Sequence, residues 1–167
     1  SVVRDSSGNN NGMLDPGETV DMTAVLKNIG GSPFMNLHTT LSENSPYVAV
    51  LDNNANFGYI EVDSTKENLA DQWTVQIALG APEGHIVDFM IVAIDTGFCD
   101  TLFFKLPIGK YHYYLWNPDL SPSAGTTIDS LLRELGYLGR IGTHLADAGG
   151  LDMYQTVLVC AGVCPYN

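Results

Sequence analysis

The stretch "TVDMTAVLKNIGG", Thr19 to Gly31, decides the fold class. Val20, Met22, Ala24 and Leu26 fall on one side of an extended chain, while Asp21, Thr23 and Lys27 fall mostly on the other. A period of two marks a strand buried on one face, and Asn28 with the pair Gly30–Gly31 supplies the turn that ends it. The same grammar recurs outward along the chain at Asn36–Ser42, Tyr47–Asp52, Phe57–Val62, Gln72–Gly80, His85–Asp95 and Asp100–Gly109. Such runs, joined by Pro, Gly, Asn and Asp, predict a mainly β protein whose residues 1–109 form an immunoglobulin-like antiparallel β-sandwich of about seven strands. Trp73, on a central run, is a predicted core residue.

The pattern changes between Pro107 and Lys110. "KYHYYLWNPD" reads as a strand entering a polar loop, and "TTIDSLLRELG" carries Ile128, Leu131, Leu132 and Leu135 at helical spacing. Thr126 with Asp129 forms a capping-box pattern at the expected start of that helix, and Gly136 sits where a C-terminal cap glycine belongs. "GRIGTH" and the apolar "TVLVCAG", Thr156 to Gly162, then read as further strands of a parallel sheet. Residues 110–167 are therefore expected to form a small, incomplete α/β segment, and it resembles the opening β-α-β portion of a flavodoxin-like domain.

Nineteen acidic residues against seven basic give a net charge of −12, which repels phosphate backbones and anionic lipid heads and attracts cations. Nucleic acid is excluded as a partner class on that ground. No run of about 18 apolar residues is present, so no membrane-spanning helix is expected. The amino terminus "SVVRD" has neither an initiator Met nor a signal-type apolar core and reads as a mature or excised piece. Three cysteines, Cys99, Cys160 and Cys164, do not make a disulfide scaffold, although the spacing of Cys160 and Cys164 allows a local bridge.

The densest chemical signal is "SSGNNNGMLDPGE", Ser6 to Glu18. With Gly12 as the turn glycine of a calcium loop, the oxygen-bearing positions fall at Ser7, Asn9, Asn11, the Met13 carbonyl, Asp15 and Glu18. Glu18 occupies the offset that binds through both oxygens. Ser7 stands where an aspartate is usual, and Asp5 supplies the missing carboxylate if the start of the loop is remodelled. Pro16 argues against a regular helix leaving the loop, so Glu18 opens a strand and not the second helix of an EF-hand. The expected cofactor is Ca2+, held by six to eight oxygens at about 2.3 to 2.6 Å.

The phrase "NNNGMLDPGETVDMTAVLKNIGG", with weaker support from "NFGYIEV" and "PEGHIVDFMIVAID", resembles the opening of CARDB-like and other Ig-like modules of secreted bacterial surface proteins. The resemblance implies an extracellular or cell-surface location and a calcium-stabilised structural or adhesive role without catalysis. An alternative implied by the second segment is an accessory region of a secreted hydrolase: "TVLVCAG" is similar to the nucleophile-bearing strand of gingipain-like cysteine peptidases, with Cys160 and His144 as its candidates. His144 is followed by Leu145 and not by the glycine of the usual motif, which favours the non-catalytic reading.

Other chemistry-bearing residues point to less. His38, His85 and His112 are scattered among strand positions and form no ligand set. "YHYYLW", Tyr111 to Trp116, makes a sugar-stacking platform only if exposed, and alternation places half of it in a core. "TVLVCAG" lacks the charges or proline that guard a sheet edge, so the expected partner is a second copy, building a filament, or another domain of a larger extracellular protein.

Overall fold

A computed structural model describes residues 2–4, 9, 11–118 and 123–161. The chain divides into two compact units between Ile108 and Gly109. In the first, β1 (Val2–Arg4), β2 (Thr19–Thr23), β5 (Val48–Asp52) and β8 (Trp73–Ile77) form an antiparallel sheet in the order β1-β2-β8-β5. A second antiparallel sheet contains β4 (Phe34–Glu43), β6 (Asn54–Ile60), β9 (Ile86–Asp95) and β10 (Phe98–Pro107), in the order β10-β9-β4-β6. The remaining strands, β3 (Val25–Lys27) and β7 (Thr65–Glu67), pair with each other. Each of the seven predicted runs becomes a strand, and the unit is an antiparallel β-sandwich.

The core is made by the inward half of each alternation. Val20 and Met22 of β2, Trp73, Val75 and Ile77 of β8, Leu37 and Leu41 of β4, and Val87, Phe89 and Ile91 of β9 are all buried in one cluster. Trp73 lies 6.0 Å from Phe57, ring centre to ring centre, and Phe89 stacks on Phe104 at 5.0 Å. Burying one such aromatic or aliphatic side chain contributes about 1.5–3 kcal/mol, so the alternation is also the main source of stability.

Two interruptions shape the sandwich. At Asn53 the run from Val48 to Ile60 changes partner, β5 pairing with β8 in one sheet and β6 with β4 in the other, as strands do at sandwich corners. At Ala24 the β2–β3 run breaks, and its N–H donates to Oδ1 of buried Asn68 at 2.8 Å. Beyond β3, fully buried Asn28 is satisfied on both ends: Nδ2 donates to the Ser32 and Ile60 carbonyls and Oδ1 accepts the Gly30 N–H. The predicted turn is thus held by the Asn28 side chain.

In the second unit β11 (Tyr111–Trp116), β12 (Gly139–Gly142) and β13 (Tyr154–Val159) form a parallel sheet in the order β12-β11-β13, with one helix, α1 (Ser123–Glu134), after β11. Short 3-10 turns at Leu145–Ala148 and Leu151–Met153 lead into β13. The helix begins three residues before the expected Thr126 start, which places Thr126 inside it and rules out the predicted capping box. Asp129 instead accepts from Tyr113 Oη at 2.6 Å and Arg133 Nε at 2.8 Å, a tertiary demand that outweighs the local cap. The C-terminal cap is as expected: Gly136 has φ 87°, its N–H donates to the Arg133 carbonyl, and the Tyr137 N–H donates to that of Leu132.

Burial first, and then the hydrogen bond and charge of Asp129, push the Tyr113 phenol up to about 12. A free tyrosine titrates near 10. The neutral phenol therefore contributes its full stability below about pH 10, and that contribution is lost as pH rises through about 12. Tyr59, Tyr114 and Tyr154 are raised as well, so ultraviolet titration should show several late tyrosinate transitions, the one near pH 12 disappearing in Tyr113→Phe. A wild-type titration complete near pH 10 would contradict the Tyr113–Asp129 contact. For Asp129, burial opposes ionisation, yet the Arg133 and Tyr113 hydrogen bonds outweigh it and hold the carboxyl below its usual range. Its contribution is present above about pH 4 and is lost as pH falls through the lowered value.

Candidate metal centre

The loop before β2 is built from successive side-chain turns. Asn9 Oδ1 accepts the Asn11 N–H at 3.0 Å, and Asn11 Oδ1 accepts the Met13 N–H at 2.8 Å, which is how asparagines replace secondary structure in a polar loop. Gly12 has φ 74° and Gly17 φ 87°, a left-handed region that suits glycine. The loop is pinned at both sides. Buried Leu14 bridges Ile108 in parallel, the Gly17 N–H donates to the Ile77 carbonyl, and the Ile77 N–H donates to that of Glu18.

These anchors bring Asn9, Asn11, Asp15 and Glu18 together. Asp15 Oδ2 accepts from Asn9 Nδ2 at 2.7 Å and from Asn11 Nδ2 at 2.6 Å. Glu18 Oε1 accepts the Asn9 N–H at 3.1 Å, while Glu18 Oε2 is buried with no hydrogen-bond partner. A buried acceptor without a partner costs about 1–3 kcal/mol, and more when it is charged. Asp5 and Ser7 lie outside the described residues. No group of three or more His, Cys, Asp or Glu side chains that could hold a metal occurs among the described residues. The donor set here is two carboxylates with amides and backbone, all oxygen, which suits a hard cation such as Ca2+ and not the nitrogen and sulfur coordination of zinc. The orphaned Glu18 oxygen fits such an ion. Binding it requires the two amides, whose nitrogens now face Asp15, to turn over and present Oδ1.

The remaining candidates are held apart. His144 follows β12 and Cys160 follows β13, on opposite sides of β11, so their strand axes are roughly 9–10 Å apart. The His144 N–H donates to Asp147 Oδ2 and its carbonyl accepts from Tyr114 Oη, which tie this segment to its own turn. Cys160 is a free thiol, its N–H donating to the Trp116 carbonyl, and Cys164 lies outside the described residues, so their proposed bridge does too. His38 pairs with Asn36, His85 with Ser45, and His112 with the Leu138 backbone, each in a separate place. In β11, Tyr113, Tyr114 and Leu115 are buried while Tyr111, His112 and Trp116 are half-buried, so three consecutive residues are covered, as in a parallel strand packed on both faces, in place of the expected alternation. The Tyr113–Asp129–Arg133 cluster has one linear signal, the i, i+4 spacing of Asp129 and Arg133.

No family model matches the chain, and no curated protein does. Fold and site together define the class: an antiparallel β-sandwich entered through an Asn/Asp-rich loop, followed by a small parallel α/β unit. No helix among the described residues is long and apolar enough to cross a membrane.

Proposed function

We propose that the chain is a non-catalytic, calcium-stabilised structural or adhesive module of an extracellular or cell-surface assembly, of the CARDB-like, Ig-like kind. The observation that carries this reading is the buried, unpartnered Glu18 Oε2 beside Asp15. A cation there is coordinated by Asn9, Asn11, Asp15, Glu18 and the Met13 carbonyl, the part of the expected ligand set that lies among the described residues, and it ties the Asn/Gly-rich entrance to β2 and β8. At a dissociation constant of about 0.1 mM and about 1–2 mM free calcium, binding stabilises the fold by about 1.5 kcal/mol.

Calcium should therefore raise the melting temperature by about 3–6 °C, and chelation should reverse the gain. Glu18→Gln should abolish the calcium response while leaving the chelated protein as stable as wild type or more so, because it removes an unpaired buried charge. Calorimetry without heat at millimolar calcium would end this reading.

Self-association or docking of another extracellular domain fits β13, an edge strand among the described residues in which Val157 is 39% and Val159 58% exposed and which carries no acidic residue. Repeated contacts of that kind build a filament. Sedimentation velocity with calcium should show concentration-dependent assembly that Val159→Lys prevents. A wild-type monomer at high concentration contradicts it.

A further inference from the structure

Asn11–Gly12 is the one Asn-Gly pair in the sequence, and it stands in the loop before β2 with both residues exposed. A side-chain amide followed by glycine is open to attack by the next main-chain nitrogen, because glycine has no Cβ to obstruct the approach. At Asn11 the local geometry favours that attack. Oδ1 accepts the Met13 N–H at 2.8 Å, which folds the side chain back along the Gly12 peptide. This N–H points at the oxygen on which negative charge collects as the amide carbon becomes tetrahedral, the placement of an oxyanion donor. Nδ2, the atom that has to leave, is turned toward Asp15 and donates to its Oδ2 at 2.6 Å.

Asparagines of the ladders and the core lack this combination. Asn36, Asn54 and Asn56 lie in β4 and β6 and are followed by Leu37, Ala55 and Phe57, which are buried. Asn28, Asn68 and Asn117 are themselves buried. Attack at any of these requires a strand or the core to open first.

We propose that Asn11 is a self-modification site, at which the folded chain converts asparagine to aspartate and isoaspartate without an enzyme. The Gly12 nitrogen gives up its proton and bonds to Asn11 Cγ, the Cγ–Nδ2 bond breaks, and Nδ2 leaves as ammonia with the proton that Gly12 lost. The cyclic imide then takes up water and opens at one carbonyl to aspartate or at the other to isoaspartate. The net change is amide plus water to acid plus ammonia, with nothing oxidised or reduced. In the aspartate product a carboxylate faces Asp15 where an amide N–H now donates, so a third acidic group joins Asp15 and Glu18. Like charges at this range destabilise the empty loop. With a cation bound the added charge tightens the site, a consequence that rests on the calcium reading.

The test keeps the full chain in chelator under mildly alkaline conditions, so that conversion is measured apart from calcium binding. Released ammonia and the tryptic peptide between Arg4 and Lys27 are followed, with fragmentation placing the change. Expected is conversion at Asn11 about tenfold or more faster than at any other asparagine, giving two products separable by chromatography. Asn11→Gln, checked for an unchanged melting temperature, should abolish it, because its longer arm would have to close a larger ring. Asn11→Asp should melt below wild type in chelator. Conversion confined to urea-unfolded chain, conversion led by another asparagine, or ammonia release unchanged in Asn11→Gln would each overturn the proposal. Calorimetry separates it from the calcium reading: absence of heat in both wild type and Asn11→Asp ends that reading alone, whereas equal calcium affinity in the two would overturn the charge consequence.

Discussion

Trp73→Ala is expected to cost the sandwich about 3–5 kcal/mol, the range for deleting a buried tryptophan. That is a third or more of the stability of an ordinary domain. Trp73 is fully buried, stands opposite Met22 in the β2–β8 ladder and reaches Phe57 of the other sheet, so the lost volume lies where the two layers meet. Neither β-sheet can collapse into the space without shifting its ladder. The indole Nε1 is buried without a hydrogen-bond partner, which makes a second substitution informative. Trp73→Phe keeps most of the ring volume and removes an unsatisfied donor, so it should cost less than half as much as the alanine variant. Urea unfolding of both variants, with the denaturant slope unchanged, measures the difference. Equal costs would show that Nε1 is satisfied in solution.

Gly139→Ala is expected to cost the second unit about 3 kcal/mol or more, at the upper end of overpacking effects. A Cβ at this position meets the Tyr113 carbonyl oxygen and its ring at 2.5 Å, and Tyr113 is both the ladder partner of Gly139 and held by Asp129. Relief requires either β12 to leave β11 or the Tyr113–Asp129 bond to break. Gly136→Ala provides the comparison. It has open space around it but φ 87°, so it carries a conformational penalty alone, on the order of 1 kcal/mol. Hydrogen exchange at Gly139–Gly142 should accelerate strongly in the first variant and little in the second. Similar behaviour would mean that β12 adjusts freely and that the close approach is not what requires glycine.

The candidate site shows how far linear order reaches. Oxygen-bearing residues at alternate positions around Gly12, and Glu18 at the mouth of β2, are readable because a loop that closes on itself places neighbours in sequence near each other in space. The desolvation of Glu18 Oε2 is not readable, since it depends on the anchoring of the loop to Ile77 and Ile108, about 60 and 90 residues away. The helix start failed for a related reason. Thr126 and Asp129 satisfy a local capping rule, but Asp129 gains more from Tyr113 and Arg133 than from a cap.

Sequence alone determined the architecture class. Alternation of period two in seven runs, with turn residues between them, requires sheets with one buried face, and the change to helical spacing after Pro107 requires a different unit. Tertiary structure decided which strands became neighbours. "TKE" at Thr65–Glu67 has no apolar pattern and is a strand because β3 offers it an edge. The run from Val48 to Ile60 reads as two strands, and nothing in it says that they serve opposite sheets. Alternation specifies which face of a strand turns inward, a property of each residue and its neighbours, whereas pairing depends on long-range ladder hydrogen bonds that any extended backbone can make.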